Sequence, residues 1–152
     1  MAHPRILALD VGDKRIGMAI SDPLGLTAQP LFTLHRTTLR ADLKSIARFI
    51  RQHKVEVLLV GNPLHADGSV SPQSAKAFAF AEALREAHPS LSHYLLDERL
   101  TTHDAHALLG RRSGRSDRLD RQHEIDQVAA TLLLESFLSR DKITLLPDPE
   151  AS

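Results

Sequence analysis

The chain has no cysteine and no tryptophan, and aromatic residues fill only 4% of its 152 positions. Without cysteine, disulfides and thiolate-bound zinc are excluded, which agrees with a reducing compartment. The few aromatics do not alternate with basic residues along the chain, so base stacking is not expected to dominate any nucleic-acid binding; backbone and shape should lead. No apolar run approaches the roughly 20 residues that cross a bilayer, and no charged–apolar–small leader pattern opens the sequence. The expectation is a cytoplasmic protein with no membrane partner. An excess of charge is absent too: 19 Lys+Arg balance 19 Asp+Glu, which argues against a globally basic binder.

What the balance hides is segregation. Between Arg36 and Lys54 there are six basic residues and one acid, Asp42, and between Arg111 and Arg121 five arginines and two aspartates. The pattern of apolar residues divides the rest. Strands are expected at 6–11 and 15–21 around a Gly12-Asp13-Lys14 turn, with a shorter third at 31–35. Leu39, Leu43, Ile46 and Ile50 have helical spacing, so 39–53 should be a helix. A β-branched strand at 55–60 stops at Gly61-Asn62-Pro63, and Ser71-Pro72 opens a helix running to about 87. A strand at 91–96 is followed by a short helix closing at Gly110, a polar and mobile stretch at 111–122, and a last helix at 123–139. Antiparallel strands followed by alternating helices and strands imply an α/β three-layer domain with a mixed sheet, and the length suits one domain.

Three acids break the rules of the elements that carry them. Asp10 interrupts an apolar strand, although aspartate is depleted from strands. Glu98 follows a strand at its C-terminal end, where open α/β sheets collect ligands. On the last helix, Glu124, Gln127, Thr131 and Glu135 form a polar stripe expected to face solvent, whereas Asp126 aligns with Ala130, Leu133 and Phe137 and should face the sheet. Each has a plainer explanation taken alone: a hydrogen-bonded core acid for Asp10, a partner of Arg99 for Glu98, a helix-dipole acid for Asp126. Together, three converging carboxylates would repel one another unless a cation sat between them, and Mg²⁺ prefers such oxygen ligands. Two ions about 3.5–4 Å apart can activate water and stabilise a leaving oxygen in phosphodiester hydrolysis.

The stretches DVGDKRIGMAISD, GNPLHADGS, DERLTT and IDQVAATLLLESFL, in this order and spacing, resemble the motifs of the bacterial YqgF/RuvX family. Its members are described as Holliday junction resolvases or pre-16S ribosomal RNA nucleases. The likeness spans residue 6 to about 138. It implies an RNase H-like three-layer fold with a mixed five-stranded sheet, the first three strands antiparallel, in a single nuclease domain at 1–140 followed by a tail at 141–152. It also implies a catalytic metal site on Asp10, Glu98 and Asp126, holding one or two Mg²⁺ or Mn²⁺ ions. Asn62 departs from the small aliphatic residue usual in the family, and Glu135 from a common glutamine; neither touches the three acids.

Several basic residues are candidates for the substrate phosphate: Lys14 and Arg15 in the turn beside Asp10, Arg99, and Arg111, Arg112 and Arg115 before the last helix. The turn can equally be merely solvated, and the arginine-rich stretch merely solubilising. On the 39–53 helix, Arg40, Lys44, Arg48 and Arg51 form a stripe whose simplest reading is a solvated face, with a nucleic-acid track as the alternative. His103 and His106 have metal-ligand spacing but no further converging ligands. No Gly-Lys-Ser/Thr P-loop occurs. The leading expectation is a metal-dependent nuclease acting on structured RNA, by resemblance the 5′ end of pre-16S rRNA, with possible ribosome association. Branched DNA is the alternative substrate. A non-catalytic RNA- or ribosome-binding module is the alternative of another class, and a nucleotide phosphotransferase a third, disfavoured by the lack of a second lobe.

Overall fold

A computed structural model of the chain describes residues 3–63, 67–97, 118–139 and 143–145. Six strands form one sheet: β1 (Arg5–Val11), β2 (Arg15–Ser21), β3 (Ala28–His35), β4 (Val55–Asn62), β5 (Ser92–Asp97) and β6 (Ile143–Leu145). Their spatial order is β3-β2-β1-β4-β5-β6. The first three strands are antiparallel neighbours, β1, β4 and β5 are parallel, and β6 returns antiparallel along β5. The mixed sheet with an antiparallel opening is as expected, but it has six strands rather than five. The extra strand lies in the stretch read as a tail. Three residues hold too little alternation to announce a strand, and only pairing with Tyr94, Leu95 and Leu96 defines it.

Both sheet faces are buried, which explains why β1 and β4 are apolar on each side. Helices α1 (Leu39–His53) and α2 (Pro72–Ala87) lie on one face. Their Ile46, Ile50, Ala77, Phe80 and Leu84 join a core with Leu7, Leu9, Val11, Ile16 and Met18. Helix α3 (Arg118–Ser139) covers the other, packing Ala130, Leu133, Leu134 and Phe137 on Ile6, Ala8, Ala19 and Leu59. Local signals set the ends. The Thr38 hydroxyl accepts from the Ala41 N–H at the start of α1, and Lys54 ends it in a left-handed conformation. Ser71 and Ser74 form a reciprocal cap ahead of Pro72.

Two expectations for α3 need correction. The helix begins at Arg118, so the last part of the stretch read as polar and mobile is helical. The stripe read as its solvent face is also only partly so: Glu135 is exposed, but Gln127 turns toward the sheet edge and its amide donates to the Thr33 hydroxyl at 3.0 Å. A polar side chain at a sheet margin can satisfy itself on the sheet, and periodicity does not reveal this. The expected helix closing at Gly110, with His103 and His106, lies outside the described residues. Among the described residues no helix is long and apolar enough to cross a membrane.

Candidate active site

Parallel strands collect their C-terminal ends on one side of a sheet, where irregular backbone is free to bind ligands. Here β1 brings Asp10 to that side, and the next two strands in the sheet, β4 and then β5, end there at Asn62 and Asp97. Asp10 shares the face of Ile6 and Ala8, the face covered by α3. Its antiparallel partner across β2 is Gly17.

Gly17 explains how α3 comes close enough to add a second carboxylate. A Cβ on this glycine would lie 2.0 Å from the backbone oxygen of Asp126 and 2.4 Å from its carbonyl carbon. The helix backbone therefore rests on the strand where a side chain is missing, beside Asp10. A glycine inside a strand often marks such an approach. That signal was present in the sequence, and Gly17 is a site residue the motif reading passed over.

The result is a cleft of about 280 Å³ lined by Asp10, Gly12, Asp13, Lys14, Arg15 and Asp126. Arg15 donates from Nε to Asp126 Oδ2 at 3.0 Å, with both side chains still partly open to solvent. Asp13 points to α2 instead: Lys76 Nζ donates to it at 2.9 Å and the Gln73 amide at 3.1 Å. The Lys76 hydrogen bond, then that of Gln73, holds the Asp13 carboxyl below the ordinary carboxylate value.

The turn itself is fastened from behind. Gly12 N–H donates to the Arg15 carbonyl at 2.8 Å, and Arg36, just past β3, reaches both ends of the turn. Its backbone N–H donates to the Lys14 carbonyl at 2.9 Å, and its Nη1 to the Gly12 carbonyl at 2.9 Å. Asp42, only 2% exposed, accepts from Arg36 Nε at 3.1 Å and from the Thr37 N–H at 3.1 Å, while the guanidinium lies 5.1 Å from the centroid of Phe80. The lone acid of the basic 36–54 stretch is thus a buried anchor for the turn. This pair, too, was missed in the sequence.

The structure therefore brings together Asp10, Asp126, Lys14 and Arg15. Glu98, Arg99, Arg111, Arg112 and Arg115 lie outside the described residues, although β5 ends one residue before Glu98 on the Asp10 side of the sheet. Among the described residues no three His, Asp or Glu side chains converge as a ready metal cage. Two carboxylates facing one open cleft, with oxygen as the only donor type, still suit a hard divalent cation that keeps several waters.

A family model described as RuvX, Holliday junction resolvase, matches residues 4–140. The chain belongs to the RuvX family. A protein of Moorella thermoacetica named "Putative pre-16S rRNA nuclease" is 46% identical over 136 residues, covering 90% of this chain and 95% of that protein. One of the same name from Thermoanaerobacter pseudethanolicus is 41% identical over 138 residues, 91% of this chain and 98% of the other. Among solved structures, Thermus thermophilus RuvC in complex with a Holliday junction substrate superposes with TM-score 0.54 at 16% identity, over 95% of this chain and all of that one. The fowlpox virus Holliday junction resolvase gives 0.52 at 16% identity, over 90% and 99%. At these identities the likeness establishes the fold, and this RuvX-family chain has the RNase H-like architecture.

Proposed function

We propose that this RuvX-family protein is a metal-dependent nuclease that hydrolyses phosphodiester bonds, with the 5′ end of pre-16S rRNA as its substrate. One observation carries the reading: Asp10 and Asp126, 116 positions apart, line a single cleft together with Lys14 and Arg15. Carboxylates alone would repel a phosphate. Carboxylates beside two cations in an open cleft suit a phosphate that arrives with metal.

In this reading Asp10 and Asp126 hold the ion through oxygen, with Glu98 completing the set. Bound Mg²⁺ or Mn²⁺ supplies a lowered water pKa and charge stabilisation on the leaving oxygen. The chain's own work is positioning. Lys14 and Arg15 take the non-bridging oxygens of the scissile phosphate and offset its charge. The Asp126 contact keeps the Arg15 guanidinium aimed across the cleft, and the Arg36–Asp42 pair keeps the turn from swinging away. Arg99, Arg111, Arg112 and Arg115 would add further contacts to the substrate phosphates. The compartment that fits this role is the cytoplasm, with contact to the assembling ribosome.

Branched DNA is the second reading, supported by the family's description and by the resolvase fold neighbours. The test compares cleavage of a pre-16S rRNA fragment and of a four-way DNA junction, each with Mn²⁺ or with chelator. The proposal expects Mn²⁺-dependent cutting of the RNA. Cutting of the junction alone moves the assignment to the second reading. Binding of RNA without cleavage under any metal makes the protein a binding module.

A further inference from the structure

The sheet face opposite the carboxylate cleft carries a second concentration of charge. Arg40, Lys44, Arg48 and Arg51 are all exposed along one side of α1, and none makes an ion pair among the described residues. The acid of that helix, Asp42, is buried against Arg36 and offsets nothing at the surface. In a chain whose total charge is zero, four cations on one helix side, with no ion-pair partner among the described residues, form a local field of one sign.

Beside them the fold assembles rings that the sequence keeps apart. Phe32, on edge strand β3, is 45% exposed, and its ring centroid lies 5.4 Å from that of Phe49 on α1. Phe49 in turn stacks on His53, with centroids 6.4 Å apart and planes 7° from parallel. Between β3 and α1 runs a groove of about 340 Å³ lined by Phe32, Leu34, Ser45, Arg48, Phe49 and Gln52. Arg48 belongs to both the groove and the cationic stripe. The expectation that stacking would not dominate binding rests on linear spacing, which does not show that β3 and α1 bring these rings together.

We propose that this groove and stripe bind a single-stranded nucleic-acid segment, with unpaired bases lying on Phe32 and Phe49 and phosphates along Arg40, Lys44, Arg48 and Arg51. The charge is of the sign a phosphate backbone requires, and apolar ring faces suit bases of any sequence. A duplex hides its base faces and leaves the rings unused. A second copy of the chain fits poorly, since a two-fold contact across this face would set like-charged stripes against each other. From Arg40 to Arg51 the stripe is about 16 Å long at the helical rise. It starts near the cleft end of the sheet, because α1 begins just after β3 pairs His35 with Arg15. Binding at this surface does not depend on the cleavage reading.

The test measures anisotropy of a labelled 12-nucleotide oligouridine with the full chain in metal-free buffer, where cleavage plays no part. Phe32→Ala should weaken binding about tenfold and Phe32→Trp should restore it. Lys44→Ala with Arg48→Ala should lower the slope of log affinity against log salt by about 1.4, the value for two lost phosphate contacts to a single strand. Binding of a 12-base-pair duplex should respond to the lysine and arginine changes and not to Phe32→Ala. Unchanged melting temperatures verify folding, since all three residues are exposed. Wild-type affinity and salt slope in both variants would overturn the proposal, as would no binding of the single strand at low salt. Equal loss of single-strand and duplex binding in Phe32→Ala, or a dimer that this change dissolves, would also overturn it.

Discussion

Replacing Gly17 by alanine tests how the cleft is built. The added Cβ would sit 2.0 Å from the Asp126 backbone oxygen, where real contacts of this kind stay beyond 3.0 Å. Something must move by about 1 Å, and the obstacle is helix backbone rather than a side chain that can turn aside. Gly17 has no positive φ, so alanine fits its local conformation and restricts the unfolded chain, a gain of about 0.4–1 kcal/mol. Overpacking costs about 1–3 kcal/mol, leaving a net loss near 1–2 kcal/mol. For a chain of this size that lowers the melting temperature by roughly 2–8 °C. Activity should suffer far more than stability. Displacing Asp126 by about 1 Å from Asp10 would disturb the cation these residues are proposed to share and the aim of Arg15, and a shift of that size can cost about 100-fold in rate. The assay pairs thermal melts with initial rates of RNA cleavage in Mn²⁺. Wild-type rate and melting temperature together would refute the reasoning, because the helix would not then rest on Gly17.

Other outcomes follow from the same geometry. Asp42→Ala strips the buried partner from Arg36 and should cost about 3 kcal/mol, measured by denaturant unfolding, with slower cleavage as the 12–14 turn loosens. Asp22 accepts from the N–H groups of Leu24, Leu26 and Thr27, and these bonds, that of Thr27 foremost, hold its carboxyl below the ordinary 3.8. Its stabilising effect is therefore complete above that ordinary value and fades as pH falls through the lowered one, so melts of wild type and Asp22→Ala should differ at pH 7 and converge in strong acid. Ser71→Ala removes the cap of α2 and the hydroxyl bond to the Pro63 carbonyl, and should lower stability by about 1 kcal/mol in the same unfolding assay.

Local physics made much of this fold readable. The spacing of Leu39, Leu43, Ile46 and Ile50 marks α1, the Ser71-Pro72 pair marks the start of α2, and strand alternation groups Asp10 with Ile6 and Ala8, the face that the structure shows covered by α3. Asp126 was legible as a sheet-facing residue because its neighbours at helical steps are apolar. What could not be read depends on contacts between distant positions. The Arg15–Asp126 bond joins residues 111 apart, and nothing near either one announces the other. Asp42 looks like a surface acid in a basic helix until Arg36 is seen folded over it. Phe32 and Phe49 look isolated until β3 and α1 meet. Gly17 was the exception: an interior strand glycine is a local signal, and it gains meaning once the helix above it is known.

The most direct test of the central claim is the Mn²⁺-dependent cleavage rate of Asp10→Asn, measured on a pre-16S rRNA fragment beside the wild type. Asparagine keeps the size of the side chain and removes the charge that would hold the ion. The account predicts loss of cleavage to background with an unchanged circular dichroism spectrum. Cleavage by the variant at the wild-type rate would contradict it.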